Sequence, residues 1–283
     1  MTPTLLPGET GGSARRNVAH RGPAFLPWHR QELREFELAL QGQVPGVTLP
    51  YWDWAQDAAL ANPGSAPLWT AAYIGGDGDP ANNDLVPNGP FQNWVALIFN
   101  LATNTLVPRS FPGLQRRLGR DPEGLPTLPT QGHVTASFTE TAYDSSPWHR
   151  ASNPSFRNRL EGWLLKPAEG DPSGAGLHNR VHTWVGGDML PGTSPNDPVF
   201  FLQHCNVDRL WAEWQAANSA LGYQPLSGGP PGHNATDVMT HLVSTTTTPA
   251  GTLDHHSLGY RYDTEPATET AHWLESVLQM MMR

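Results

Sequence analysis

The sequence predicts a mainly α-helical domain whose helices are joined by long loops, with a few short strands. Apolar residues recur with a period of about 3.6 residues, as in amphipathic helices, over residues 28–41, 155–165, 177–185 and 197–216. Glycine and proline number 28 each, so much of the remaining chain is expected to form turns and loops. No Gly/Ser-rich or Pro-rich linker divides the 283 residues, which favours one domain over residues 1–264, followed by a short helix over residues 265–283.

The composition excludes several classes of partner. The formal net charge is −9 and the chain has no basic run, which argues against binding to nucleic acids or anionic membranes. No apolar run is as long as a membrane span, and residues 1–12 lack the pattern of a signal peptide, so we expect a cytoplasmic protein. The single cysteine, Cys205, excludes an internal disulfide, and beside His204 it is interpreted as a small buried residue rather than a metal thiolate.

The first long helix is predicted over residues 28–41. Pro27 is expected to open it, since proline is tolerated in the first turn, and the periodicity places His29 on its core-facing stripe. His20 precedes this helix in a predicted loop. An aromatic run follows at residues 49–54 and is interpreted as part of an aromatic core.

The middle of the chain is predicted to be mostly irregular. Residues 55–90 are rich in turn-forming residues, and residues 102–150 carry many prolines. Between them, residues 91–101 fit either a strand or a short helix. The next strong helical pattern covers residues 155–165 and is expected to end at Pro167.

Three histidines in the second half of the chain are predicted to form a metal site. His178 and His182 are four residues apart, so one face of the helix over residues 177–185 presents both imidazoles. His204 lies on the apolar stripe of the helix over residues 197–216. Three imidazoles so close together in the chain favour a shared metal ion over unrelated core or surface histidines.

Two further histidines, His255 and His256, are adjacent in the sequence. On a strand their side chains would point to opposite faces, so they are predicted to be poor joint ligands for a metal ion. Tyr260 and Tyr262 follow with strand-like alternation.

Four blocks of the sequence occur in an order that points to one enzyme family. They are His20 to His29 with Phe-Leu-Pro-Trp between them, Pro50-Tyr51-Trp52-Asp53, Leu177 to Gly187, and Ser194 to Trp211. Together they closely resemble the tyrosinases, which are binuclear type-3 copper oxidases, and above all the short single-domain bacterial members. The resemblance runs from about His20 to Tyr262 and implies a helical bundle around a binuclear copper site, which makes residues 1–264 a copper-binding catalytic domain.

The resemblance implies which histidines hold the two copper ions. His178, His182 and His204 match the ligands of the second copper, and His20 and His29 match the last two ligands of the first. Neutral imidazole suits copper in either oxidation state, although the same set of histidines would also bind zinc.

The resemblance also implies residues that act on the substrate. Glu161 and Asn179 match a pair that holds a water molecule which takes the phenol proton, and burial is expected to raise the pKa of Glu161. The residues alone leave a salt bridge between Glu161 and Arg157 equally open. Phe200 is expected to stack near the site, and Thr183 and Thr193 are expected to line its entrance. Asp208 is expected to orient a ligand imidazole.

The reaction that the resemblance implies is o-hydroxylation of a monophenol such as tyrosine, followed by oxidation of the catechol to an o-quinone with dioxygen, as in melanin formation. Two alternatives use the same kind of copper site. One is a catechol or o-aminophenol oxidase without hydroxylase activity, and the other is a dioxygen carrier like the haemocyanins. Some bacterial tyrosinases leave the cell only with a small caddie protein that delivers copper, so secretion with such a partner is open as well.

One departure from the family concerns the first copper. The family has a third histidine on a helix upstream of the position of His20, whereas His20 is the first histidine of this chain. We expect that the chain begins at an internal methionine and is incomplete at its N-terminus, because a bundle short of one helix would expose the apolar faces of the others. The alternative is that His133, His149 or His233 completes the site.

Overall fold

The structure, a computed structural model, describes residues 18–122, 126–163, 176–218, 222–239 and 244–265. The chain divides into two compact units, Met1–Leu253 and Asp254–Arg283. The helix predicted over residues 265–283 lies outside the described residues, apart from its first position.

The first unit is mainly helical. Its α-helices, among the described residues, are α1 (Phe25–Gln41), α2 (Trp54–Asp57), α3 (Gln131–Ser137), α4 (Phe156–Glu161), α5 (Leu177–Val185) and α6 (Val199–Ala217). Strands β1 (Leu97–Asn100) and β2 (Thr105–Pro108) pair antiparallel, with Leu97 opposite Pro108. Short 3₁₀ turns and loops form most of the rest, which confirms the predicted mainly α-helical fold with a few short strands. None of the helices in the described part of the chain is both long and apolar enough to span a membrane.

The long helices lie close to their predicted positions. Helix α5 coincides with the predicted residues 177–185. Helix α1 begins at Phe25, three residues before the predicted start, so Pro27 lies in its first turn, where its missing N–H removes no intrahelical hydrogen bond. Helix α6 begins at Val199 because Asp197 is extended and its carboxylate accepts a hydrogen bond from the Val199 amide.

The prediction for helix α4 is wrong at its end. The helix stops at Glu161, because Gly162 follows in a left-handed conformation with φ of 106°. A Cβ at Gly162 would lie 1.9 Å from the carbonyl oxygen of Gly176, so this close approach requires glycine. The contact brings the end of α4 against the start of α5, where His178 lies.

The irregular middle of the chain contains more regular structure than predicted. Residues 91–101 contain strand β1 rather than a helix, and residues 102–150 contain both β2 and α3. The strands have four residues each and α3 has seven, so none of them is long enough to give a clear period in the sequence.

Helices α1, α4, α5 and α6 pack together, with α6 against α1 and α5, and α4 against the same two helices. The core between and around them is aromatic, as the sequence predicted. The ring centroids of Trp52 and Trp69 are 5.1 Å apart, and Phe156 stacks on Trp214 at 4.6 Å. Such pairs each add about 0.5–1.5 kcal/mol to the stabilisation that burial of the rings provides.

Buried ion pairs connect the loops to this core. The guanidinium of Arg116 bonds both carboxylate oxygens of Asp197 at 2.7 and 2.8 Å, and both side chains are fully buried. Arg30 on α1 donates to Asp208 on α6 at 2.6 Å and to the carbonyl oxygen of Thr252 at 3.0 Å. Arg30 therefore links two helices of the bundle to the last turn of the first unit.

The described part of the second unit, residues 254–265, consists of turns and irregular segments without strand pairing. The strand predicted around His255 and Tyr262 is therefore wrong. A run of turns over residues 255–259 turns the two adjacent histidines toward the same carboxylate, that of Glu265.

Candidate metal centre

Five histidines converge where α1, α4, α5 and α6 meet. Helix α1 supplies His29, α5 supplies His178 and His182, α6 supplies His204, and the loop before α1 supplies His20. The ring centroids of His20 and His29 are 4.9 Å apart, and those of His29 and His204 are 4.2 Å apart. The centroid of His178 lies 4.5 Å from that of His182 and 4.8 Å from that of His204. The structure thus brings together all five histidines that the sequence singled out as copper ligands.

His178, His182 and His204 are placed to share one metal ion. One ring nitrogen of each lies within 4.8 Å of the others, and the Nε2 atoms of His182 and His204 are 3.4 Å apart. Two nitrogens bound at about 2.0–2.1 Å to one tetrahedral ion stand about 3.4 Å apart, so this spacing fits. Among the described residues, Nε2 of His178 and Nδ1 of His204 are buried without a hydrogen-bond partner. A buried nitrogen without a partner is costly, and a metal ion bound through Nε2 of His178 would satisfy that atom.

Backbone carbonyl groups orient three of the imidazoles. Nδ1 of His29, His178 and His182 lies 2.8, 3.3 and 2.6 Å, respectively, from a backbone carbonyl oxygen. A carbonyl oxygen only accepts, so Nδ1 carries the hydrogen and Nε2 is left with its lone pair. This is the arrangement by which proteins fix the tautomer of a metal-binding histidine.

Burial also keeps the imidazoles of this group neutral. It lowers the pKa of His182 from 6.5 to about 4, and it lowers the pKa of His178 and of His204 well below 6.5. Neighbouring imidazoles lower the pKa of His178 and His204 further, because two charged rings would repel each other. A metal ligand must be unprotonated, so the donor set fits copper, which histidine-only sites bind well, and would fit zinc.

Glu161 lies beside the histidines at the end of α4 and is fully buried. Its carboxylate accepts from the Arg21 amide at 2.6 Å and from Arg157 Nη1 at 2.9 Å, and Nδ1 of His20 lies 3.6 Å away. Burial raises the pKa of this carboxyl, but the nearby His20 imidazole, the charge of Arg157 and the Arg21 amide together hold the pKa below its usual 4.5. The predicted rise in pKa is therefore wrong, and the salt bridge to Arg157 is confirmed.

A second carboxylate shares the same guanidinium. Arg157 donates to Asp144 through Nη2 at 2.8 Å and through Nε at 3.0 Å, and both side chains are fully buried. Nothing in the sequence singled out Asp144, which precedes α4 in an irregular segment. It holds Arg157 in the position from which Arg157 reaches Glu161.

Other predicted residues lie around the histidines. The ring centroid of Phe200 is 4.2 Å from that of His204, and the two ring planes are tilted by 37°. That Phe200 stacks near the site stays a prediction. Oδ1 of Asn179 lies 3.1 Å from Nδ1 of His178. Thr183 is half-buried and its hydroxyl donates to the carbonyl oxygen of Arg180 at 3.0 Å, and Thr193 is buried. That these two threonines line an entrance stays a prediction.

Asp208 bonds Nε of Arg30, the residue after His29 on α1. This contact connects Asp208 to the helix that carries a predicted ligand. Its predicted role, orientation of an imidazole by direct contact, stays a prediction.

The histidines considered as a sixth ligand each have a local contact of their own. His133 forms a capping box with Thr130 at the start of α3. Nδ1 of His149 accepts from the Ala151 amide at 3.0 Å. Nδ1 of His233 accepts from the Ala24 amide at 3.2 Å, at the start of α1. That one of them completes the first copper site stays a prediction.

Comparison with known proteins decides the family. The family model described as the common central domain of tyrosinase matches residues 6–217. The chain belongs to the tyrosinase family. It is 42% identical over 259 residues to a tyrosinase of Streptomyces glaucescens, covering 91% of this chain and 84% of the relative. It is 38% identical over 274 residues to grixazone synthase of Streptomyces griseus, with coverage of 91% and 84%.

Two solved structures share the fold of this chain. A functional unit of octopus hemocyanin matches 98% of this chain with a TM-score of 0.52 at 20% identity. A tyrosinase of Burkholderia thailandensis matches 90% of it with a TM-score of 0.53 at 19% identity. This tyrosinase-family chain spans 62% and 65% of those two structures, less than two thirds of either. At these identities the matches show the fold, whereas the Streptomyces relatives show a tyrosinase-like oxidoreductase of a copper protein family.

Proposed function

We propose that this chain is a tyrosinase that uses two copper ions and dioxygen to convert monophenols to o-diphenols and o-diphenols to o-quinones, as in melanin formation. The observation that supports this most is the cluster of buried imidazoles inside a fold of the tyrosinase family. His178, His182 and His204 would hold one ion, and His20 and His29 would supply ligands to the other. Bound copper supplies the two electrons that reduce dioxygen.

Glu161 and Asn179 are proposed to manage the phenol proton through a water molecule. Asn179 lies against His178, and the Glu161 carboxylate stays ionised at neutral pH because its pKa is lowered. An ionised carboxylate can accept a proton, but a carboxyl of low pKa is a weak base. Glu161 therefore acts mainly by orienting the water and stabilising the positive charge that a passing proton creates.

Phe200 is proposed to present an apolar face to the aromatic ring of the substrate. It is buried and packs against His204 and His182, at centroid distances of 4.2 and 6.2 Å. An offset or edge-on aromatic contact with a phenol would orient the ring and exclude water from the reacting carbon. Thr183 and Thr193 complete this proposal as residues of the entrance.

A catechol or o-aminophenol oxidase is the second candidate. The lowered pKa of Glu161 favours it, because a catechol loses its first proton more readily than a monophenol and needs less help from a base. The similarity to grixazone synthase is a second reason to test this class of substrate.

The experiment loads the full chain with copper and follows quinone formation from tyrosine and from catechol. Quinone from both substrates supports the tyrosinase, and quinone from catechol alone supports the second candidate. His204→Gln removes an imidazole from the cluster and should abolish either activity, whereas His256→Gln removes an exposed imidazole of the second unit and should preserve it. A copper-loaded chain that oxidises neither substrate would overturn both candidates.

The resemblance to bacterial tyrosinases supports one further part of the proposal, a small copper-delivering caddie protein with which the chain is secreted. Expression of the chain with and without a caddie protein of a bacterial tyrosinase would test it by copper content in the medium and in the cell. Equal copper loading and equal location in both cultures would contradict it.

A further inference from the structure

The second unit contains a cluster of potential metal ligands of its own. Nε2 of His255 lies 2.7 Å from Oε1 of Glu265, and Nε2 of His256 lies 2.5 Å from Oε2. The two imidazole centroids are 4.2 Å apart. The prediction that these adjacent histidines are poor joint ligands rested on a strand, and a turn replaces that strand here, so both imidazoles reach one carboxylate.

We propose that His255, His256 and Glu265 bind one divalent metal ion, zinc or copper(II). This site is separate from the five-histidine cluster. One ligand atom from each residue lies within 4.8 Å of the other two. Two imidazoles and one carboxylate are a donor set that zinc uses in sites with an open fourth position. Copper(II) binds the same donors more tightly than zinc does.

The cluster is partly held in place before any ion arrives. His255 is 9% exposed, and the rings of Tyr260 and Tyr262 pack against it at 5.5 and 6.0 Å. The Tyr262 amide donates to Oε1 of Glu265 at 2.8 Å. One imidazole and one carboxylate oxygen are therefore positioned by packing and by the backbone, which lowers the entropic cost of assembling a site.

The third ligand is accessible. The side chain of His256 is 43% exposed and lines an open concavity of about 280 Å³ together with Gly259, Tyr260 and Arg261. Around a tetrahedral ion the ligand atoms stand about 3.4 Å apart, so His256 must move outward by about 1 Å from its present hydrogen bond. An exposed side chain makes this movement at little cost.

The charges around the cluster also favour a cation. Oδ1 of Asp254 lies 3.9 Å from Nδ1 of His256, which places a second carboxylate beside the three proposed ligands. Nε2 of each histidine now donates its hydrogen to Glu265, so both imidazoles give up these hydrogen bonds when an ion binds through Nε2.

The test measures zinc bound per chain by equilibrium dialysis of the full chain and its variants. His256→Gln and Glu265→Gln should each bind one zinc ion fewer than the unsubstituted chain. Asp263→Asn removes the same negative charge from the same unit, two residues before Glu265, and should bind as much zinc as the unsubstituted chain. Phenol oxidation by the copper-loaded chain should not change in His256→Gln.

Equal zinc content in the unsubstituted chain and in His256→Gln would overturn the proposal. A loss of zinc in Asp263→Asn as large as in Glu265→Gln would also overturn it. Zinc binding would then depend on the net negative charge of the segment and not on the carboxylate of Glu265 as a ligand. If Glu265→Gln unfolds the segment, His256→Gln decides alone, since an exposed imidazole contributes little to folding.

Discussion

Glu32 on α1 makes the stability of the fold depend on pH between about 4.5 and 8. It is 8% exposed, and its Oε2 has no hydrogen-bond partner among the described residues. Burial, and then the charge of Glu35, raise its pKa from 4.5 to about 8. A carboxyl whose pKa is raised in the folded state stabilises the fold at low pH, and this contribution is lost as the pH rises through the folded pKa. With pKa values of about 8 folded and 4.5 unfolded, the linkage relation gives a loss of about 2–3 kcal/mol between pH 6 and pH 9.

Glu32→Gln keeps the shape of the side chain and removes the charge, so the variant should not show this loss. The free energy of unfolding of both chains is measured by urea denaturation, followed by tryptophan fluorescence, at several pH values from 6 to 9. The other titrating groups are the same in both chains. The difference between their free energies of unfolding should therefore change by about 2–3 kcal/mol in favour of the variant as the pH rises from 6 to 9. Glu213→Gln, on a side chain one third exposed on α6, is the control and should follow the unsubstituted chain. A constant difference between Glu32→Gln and the unsubstituted chain would refute the reasoning.

Three further predictions concern the centre and its support. Glu161→Gln should lower the rate on tyrosine by about 10²–10⁴-fold and the rate on catechol by much less, and equal losses on both substrates would count against a role in handling the phenol proton. Asp197→Asn places a neutral amide where the buried Arg116 guanidinium now meets a carboxylate, so urea denaturation should show a free energy of unfolding lower by about 3–5 kcal/mol. A decrease below about 1 kcal/mol would be inconsistent with the buried ion pair. Since His182 is neutral above a pKa of about 4, dialysis should leave copper on the chain at pH 5 and remove it as the pH falls through 4, whereas release already at pH 6 would contradict the assignment.

Helical patterns predicted where most of the centre lies, since four of its histidines are on α-helices. A period of about 3.6 residues placed His29 and His204 on core-facing stripes, and the spacing of His178 and His182 placed them on one face of α5. The assignment of His29 as a ligand came from the resemblance to the tyrosinases. His20 is different. It lies in a loop, where no period applies, and only the resemblance to the tyrosinases assigned it to the site.

The surroundings of Glu161 could not be predicted in the same way. The sequence shows Arg157 one helical turn before it, and that ion pair was an open alternative. The other contacts come from far away in the chain, since the Arg21 amide is 140 residues distant and Asp144 lies in an irregular segment. Burial alone suggested a raised pKa, and the actual direction depends on tertiary contacts that no local pattern contains.

The pKa shifts in the centre all have the same chemical result, although their causes are opposite. Burial lowers the pKa of His178, His182 and His204 because it disfavours a positive charge, whereas Arg157 and its neighbours lower the pKa of Glu161 because they favour a negative one. At neutral pH none of these four groups therefore holds a titratable proton. A metal ion meets no competition from protons at the three imidazoles. In the proposed reaction, the charged carboxylate of Glu161 would bind a phenol proton too weakly to keep it, so the proton would pass on to water and leave the carboxylate ready for the next substrate.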